Sequence, residues 1–64
     1  MGCKVVFRQP RADDPLDHPS ATLIRNGHKI AGLAWGRVKR HLSNKDKRDA
    51  RRQLMRVCRV LDAR

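Results

Sequence analysis

The last third of the chain, residues 43–64, constrains the fold more than any other stretch. Apolar side chains recur there at intervals of three and four residues, which places them on one side of an α-helix with ~3.6 residues per turn. These side chains belong to Ala50, Leu54, Val57, Cys58 and Leu61. Ser43 and Asp46 have the spacing of a capping box, which marks a helix start. We therefore predict one amphipathic helix over residues 43–62 that buries its apolar side.

The other side of this predicted helix is cationic. At about 100° of rotation per residue, five basic side chains fall together nearly opposite the apolar ones: Lys45, Arg48, Arg52, Arg56 and Arg59. The whole chain carries 16 Lys and Arg against six Asp and no Glu, a formal net charge of +10. Eleven of these bases, but only three of the acids, lie in residues 37–64. Positive charge concentrated in this way on a small domain is typical of proteins that bind polyanions.

The first part of the chain combines a β-prone segment with a polar loop. Residues 3–8 predict a short strand with Val5 and Phe7 on one face. Residues 9–20 contain three prolines and three aspartates and are expected to form an irregular loop. Their carboxylates lack the regular alternation and the glycine of a calcium-binding loop. We therefore expect a solvated loop whose negative charge is available to the protein's own basic side chains.

The strongest short-range signal is the pair Asn26-Gly27. It lies between two β-prone segments within residues 21–31, and Asn-Gly is the preferred pair for a two-residue type I′ hairpin turn. In the register that such a turn imposes, Leu23 lies opposite Ile30. Both side chains are then expected to point to the same side of the sheet and to lie under the helix.

Two interpretations fit residues 32–42. The favoured one is a second hairpin turn near Gly36 followed by a strand from Val38 to Leu42, because the two glycines of this segment each lower helix propensity by ~1 kcal/mol. The other is a short helix from Trp35 to Leu42, since short apolar runs separate strand from helix poorly. In either case Trp35 is expected in the core, because a lone Trp in a small domain usually buries a large area there.

These segments together predict a single small α+β domain spanning residues 1–64. It consists of a two- or three-stranded antiparallel sheet packed on one long C-terminal helix. A chain of 64 residues has little room for a buried pocket. Its burial energy exceeds the entropy cost of ordering the chain by only a small amount, so dimerisation or a stabilising partner is expected. Residues 50, 54, 57 and 61 have the spacing of a short coiled-coil seam, which makes a homodimer one prediction. Packing of the same residues on the protein's own sheet is favoured over it.

Patterns typical of catalysis, metal binding or membrane insertion are missing from the sequence. There is no Glu, no Tyr, no GxSxG motif and no glycine-rich phosphate loop, so neither an enzyme nor a cofactor is predicted. The cysteines and histidines lack the close spacing of zinc ligands. Cys3 and Cys58 make no disulfide framework, which favours a reducing cytoplasm, with Cys58 buried as a free cysteine. No run approaches the ~18 apolar residues of a membrane span.

Two or three short strands followed by one capped helix resemble the arm-type DNA-binding domains of tyrosine recombinases. More loosely, they are similar to small double-stranded RNA-binding modules. Three segments within residues 21–62 carry the resemblance, in element order and not in a fingerprint motif: LIRNGHKIAG, RVKRHL and SNKDKRDARRQLMRV. In the recombinase domains the sheet enters the DNA groove. The resemblance would therefore imply contacts from the Arg25–Lys29 hairpin and the Arg37–Arg40 segment.

The function predicted from the sequence is that of a small basic nucleic-acid-binding protein, with DNA favoured over RNA, acting as an accessory or regulatory factor in the cytoplasm. Ten basic residues are the predicted contacts: Arg25, Lys29, Arg37, Lys39, Arg40, Lys45, Arg48, Arg52, Arg56 and Arg59. The alternative is a small protein inhibitor or adaptor that docks its basic face on an acidic surface of a larger nucleic-acid-processing protein.

Overall fold

The computed structural model describes residues 2–63 and has an α+β fold. Three strands, β1 (Cys3–Arg8), β2 (Ser20–Arg25) and β3 (His28–Ala34), precede one helix, α1 (Asn44–Asp62). The strands form an antiparallel sheet in the order β1-β2-β3, and α1 packs against all three. The predicted fold class is confirmed, with three strands as the observed number.

Strand β1 presents the face that its alternation predicts. Val5 pairs with Leu23 of β2, and Phe7 pairs with Ala21. Because successive side chains of a strand point to opposite faces, these four lie on the same face of the sheet. Leu23 and Ala21 are fully buried there beneath α1, and Val5 and Phe7 pack against them while half-buried. The other face of the sheet is not covered by the helix.

The hairpin between β2 and β3 turns at Asn26-Gly27, as predicted. Both residues have positive φ, 54° and 78°, as a type I′ turn requires. The register slips farther along the hairpin, where Leu23 pairs with Ala31 and Ile30 is the extra residue of a β-bulge. The predicted Leu23–Ile30 pair is therefore wrong. Ala31 packs against the core instead, and Ile30 remains 36% exposed.

The segment between β3 and α1, residues 35–43, is irregular, so both interpretations of it are wrong. A turn does occur near Gly36, whose carbonyl accepts the Lys39 N–H at 3.0 Å, but no strand follows it. Val38 sits in that turn and is 95% exposed, so the apolar pattern that suggested a strand or a helix does not mark a buried face here. Leu42 is buried, and its N–H donates to the Gln9 side chain at 3.2 Å. The segment is thus held by a side-chain contact to the loop after β1 and not by strand pairing.

The buried core is small and joins α1 to the central strand. Ala50, Leu54 and Cys58 of the helix meet Ala21 and Leu23 of β2 in one cluster. The three helix residues follow one another at intervals of four, so they occupy one line along the apolar side. Met55 packs beside this line while half-buried.

Two further residues of the predicted apolar side lie at its margin. Val57 is 38% exposed and Leu61 is half-buried. Ala50 and Leu54 are used by the protein's own sheet, which is the arrangement that the sequence favoured over a dimer seam. Trp35 packs against the same cluster while half-buried, in line with its predicted place in the core.

A disulfide bond links Cys3 of β1 to Cys58 of α1, whose Cα atoms are 6.4 Å apart. The prediction that Cys58 is a free cysteine is therefore wrong. Cys3 shares the helix-facing side of β1 with Val5, and α1 crosses the sheet so that Cys58 lies above it. The two residues are 55 positions apart in the chain, and only the packing of helix on sheet brings them together.

Candidate nucleic-acid interface

The N-terminal end of α1 is fixed by a complete capping box. The Asp46 N–H donates to Ser43 Oγ at 3.1 Å, and the Ser43 N–H donates to the Asp46 carboxylate at 2.9 Å. Lys39 Nζ lies 2.7 Å from the same carboxylate. These contacts favour the ionised carboxylate and lower the pKa of Asp46 to about 2, with the Lys39 hydrogen bond as the largest cause. The helix start is thereby anchored to the segment that precedes it.

The C-terminal end of α1 is fixed to the hairpin. Arg25, the last residue of β2, forms an ion pair with Asp62 at 2.7 Å. Cys3 lies opposite Arg25 in the β1–β2 ladder, so its disulfide with Cys58 acts at the same end of the sheet. Ion pair and disulfide together hold the last two turns of the helix against the sheet.

All three aspartates of α1 form ion pairs, and none of their partners is an arginine of α1. Asp46 and Asp62 take part in the end contacts just described. Asp49 pairs with Lys45 one turn earlier in the helix, at 3.2 Å. A carboxylate that already has a cationic partner offsets the charge of other cations less than a free carboxylate would. The helix arginines therefore keep most of their positive charge, while Asp49, in its solvent-exposed pair with Lys45, remains an acidic neighbour of Arg52 and Arg56.

The outward side of α1 carries four such residues, Arg48, Arg52, Arg56 and Arg59, which we call the arginine face. All four are exposed, and within residues 2–63 none of them forms an ion pair. From the first to the last of them the helix rises by about 16 Å, at ~1.5 Å per residue. Each planar guanidinium can donate paired hydrogen bonds to a phosphate. The arrangement can hold several anionic groups along a line.

Arg51 widens the arginine face toward β1. Its guanidinium carbon lies 5.4 Å from the centroid of the Phe7 ring, which is a cation–π contact. Beside it runs a shallow, open groove along the helix surface, lined by Arg48, Arg51, Arg52, Met55 and Arg59. Sequence reasoning missed Arg51 and Met55 because they fall between the apolar side and the arginine face. Their four-residue spacing, which puts both on one flank of the helix, was the available signal.

Four of the ten predicted binding residues make contacts within the protein: Arg25, Lys39, Arg40 and Lys45. Arg40 shows the clearest internal role. Its guanidinium donates to the backbone carbonyls of Asp17, Arg11 and Asp14, at 2.6, 2.8 and 3.1 Å. It therefore ties the Pro- and Asp-rich loop to the segment that leads into α1.

The loop's own charge is also used internally, as expected. Asp17 pairs with Arg8 of β1 and accepts the Arg11 N–H at 2.7 Å. These contacts lower the pKa of Asp17, chiefly through the Arg11 backbone hydrogen bond. Asp13 pairs with the Arg11 side chain at 3.3 Å. The negative charge of Asp13 and Asp17 is thereby paired within the loop and with β1, and not with the arginine face.

Two other predicted contacts, Lys29 and Arg37, are exposed but lie apart from the arginine face. Lys29 pairs with Ile24, which alternates with the buried Leu23, so it stands on the sheet face away from α1. Arg37 lies in the turn that follows Gly36. The ten predicted residues are therefore distributed over three kinds of place. Lys45, whose side chain is exposed, shares the helix side of the arginine face, Lys29 and Arg37 are isolated, and the other three make contacts within the fold.

Features of two other functional classes are also missing from the described part of the chain. Among residues 2–63, no three His, Cys or Asp side chains come together as a group that could hold a metal ion. The only helix in that range has too few apolar residues to cross a membrane.

No protein-family model, curated protein or solved structure matches the chain. The likeness to recombinase arm domains is therefore one of element order, and a shared order of elements says little about function.

Proposed function

We propose that the protein binds nucleic acid and that the arginine face of α1 contacts the phosphates. The observation that carries the proposal is the separation of charge on the helix. Its three aspartates are paired with Lys39, Lys45 and Arg25, and its four outward arginines have no acidic partner among residues 2–63. Ordinary surface helices intersperse acidic and basic groups for i,i+4 pairing, so unpaired arginines in a row favour an anionic partner.

The geometry of α1 supports DNA as the favoured partner. The helix has 19 residues and is held at both ends, so its outward side is one continuous surface about five turns long. The major groove of B-form DNA is wide enough to admit a helix, whereas that of A-form RNA is deep and narrow. Guanidinium groups on such a helix can reach phosphates on either side of the groove and can also donate to guanine. The proposed role is that of an accessory or regulatory factor.

The salt dependence of binding tests the proposal. Fluorescence anisotropy with a labelled DNA duplex gives the association constant at several salt concentrations. Each neutralised phosphate contributes about −0.9 to the slope of log K against log salt, so four contacts predict a slope of about −3.6. Affinity should then fall roughly 150-fold from about 50 to about 200 mM salt. Binding that is flat over this range would refute the proposal.

A matched pair of variants locates the contact. Arg52→Gln removes one positive charge from the arginine face and should reduce the slope by about 1. Arg11→Gln removes the same charge from the loop, where the side chain pairs with Asp13, and should change affinity by less than about twofold. Equal effects of the two substitutions would mean that only net charge matters. Strong binding to an acidic protein in place of DNA would favour the inhibitor or adaptor role.

A cytoplasmic location is the remaining part of the proposal. Nucleic acid is available there, but disulfide bonds are rare in a reducing cytosol and persist in oxidising compartments. The Cys3–Cys58 bond therefore bears against this part. The thiol state inside cells, read by alkylating free thiols before lysis, decides between the two kinds of compartment.

A further inference from the structure

The two flanks of the arginine face differ in charge. On the side toward β1, the groove beside Arg51 is lined by four arginines and Met55. On the side away from it, a second groove is lined by Asp49, Arg52, Gln53 and Arg56. Arg52 borders both grooves. The first therefore offers four cations and an apolar floor, and the second offers two cations and a carboxylate.

This difference decides where an anion is better held. A phosphate that entered the second groove would approach the Asp49 carboxylate, and the two like charges would repel each other. Lys45 offsets only part of that charge, since its pair with Asp49 is exposed to solvent. In the first groove no acidic side chain belongs to the lining.

Two side chains of the first groove also contact the rest of the fold. Arg51 is held over the Phe7 ring of β1, so one wall is supported by the sheet. Met55 packs against the core cluster while half-buried, which fixes the floor. Side chains that are already positioned lose less conformational freedom when a ligand binds.

We propose that this groove, with Arg48, Arg51 and Arg59 around Met55, binds the sugar–phosphate backbone of one nucleic-acid strand. The inference rests on the proposed function and names the part of the helix that carries it. Phosphate oxygens accept hydrogen bonds from the guanidinium groups, and the apolar face of the sugar lies against the Met55 thioether. Arg56 borders the second groove, where the Asp49 carboxylate weakens its contact with a phosphate.

Two charge-matched variants test the groove. Arg59→Gln and Arg56→Gln each remove one exposed, unpaired cation from α1 within the described residues 2–63. By anisotropy with a DNA duplex, Arg59→Gln should weaken binding about tenfold and Arg56→Gln only about two- to threefold. Arg48→Gln should behave like Arg59→Gln. Circular dichroism verifies that each variant keeps its helix.

Two direct measurements complete the test. With methyl-labelled methionine, the Met55 resonance should shift when the DNA duplex is added. Polyphosphate should displace the duplex at lower charge concentration than polyglutamate. Equal losses in Arg59→Gln and Arg56→Gln, or an unmoved Met55 signal, would overturn the groove while leaving nucleic-acid binding intact. Equal displacement by polyglutamate would overturn its assignment to phosphate, and a wild-type protein that binds no duplex at low salt would refute the proposed function itself.

Discussion

Opening the Cys3–Cys58 disulfide should destabilise the protein strongly. The two cysteines are 55 residues apart, so the bond closes most of the chain into one loop. In the chain-entropy treatment, a loop of this length lowers the entropy of the unfolded state enough to stabilise the fold by about 4 kcal/mol. That is comparable with the ~3–5 kcal/mol that a single core supplies to a domain of this size.

The position of the bond makes this loss hard to offset. β1 is an edge strand that pairs only with β2, and the buried cluster between α1 and the sheet has only five residues in the described part of the chain. One of these five is Cys58 itself. A loss of about 4 kcal/mol should lower the melting temperature by about 15–30 °C, at roughly 4–8 °C per kcal/mol for a domain of 60–100 residues.

Thermal unfolding followed by circular dichroism measures the effect. The oxidised protein is compared with the same protein after reduction, and with a variant in which Cys3→Ala and Cys58→Ala are combined. Agreement between reduced protein and variant would assign the loss to the cross-link, because the two differ in side-chain packing but both lack the bond. If oxidised and reduced protein melted within about 5 °C of each other, the argument from loop closure would be wrong for this fold.

Two other contacts give predictions of their own. Because the pKa of Asp46 is lowered to about 2, its ionised form contributes stability that is fully present above about pH 4 and is lost as the pH falls through about 2. The free energies of unfolding of wild type and Asp46→Asn, measured in urea, should therefore differ at pH 5 and converge near pH 2. A difference that stayed constant with pH would contradict the roles of Ser43 and Lys39. Arg40→Lys should speed hydrogen exchange in residues 11–17 by about tenfold, since an ammonium cannot span three carbonyls, with little change in the melting temperature. Unchanged exchange in that loop would mean that the guanidinium contacts do not hold it.

Local patterns in the sequence predicted the regular elements well. The spacing of Ala50, Leu54 and Cys58 defined the buried side of α1, and Ser43 with Asp46 defined its start. Each of these signals acts within one or two turns of helix. The Asn26-Gly27 turn is local in the same sense and was found at its predicted place.

Relations between distant segments were the ones that sequence reasoning could not supply. The bulge at Ile30 moves the pairing by one residue, and no signal in the hairpin sequence separates the two registers. The irregular segment after Trp35 is held by Arg40 and Gln9, whose partners lie more than 20 residues away. Val38 was misplaced because an apolar residue in a turn looks like part of a periodic pattern.

The residues predicted to bind also fall into two groups, those placed by local spacing and those placed by contacts with distant segments. Arg48, Arg52, Arg56 and Arg59 share one side of α1 by helical spacing alone, so their common placement followed from the sequence. Arg25 instead lies at the end of a strand, where it neutralises Asp62 and helps the disulfide to hold the helix end. Carboxylates of α1 are likewise paired with Lys39 and Lys45, and loop carbonyls accept from Arg40. These contacts fix the helix that carries the arginines and partly neutralise its acids. The positive charge in these contacts therefore serves the proposed interface through the fold, whereas that of the four arginines serves it by contact.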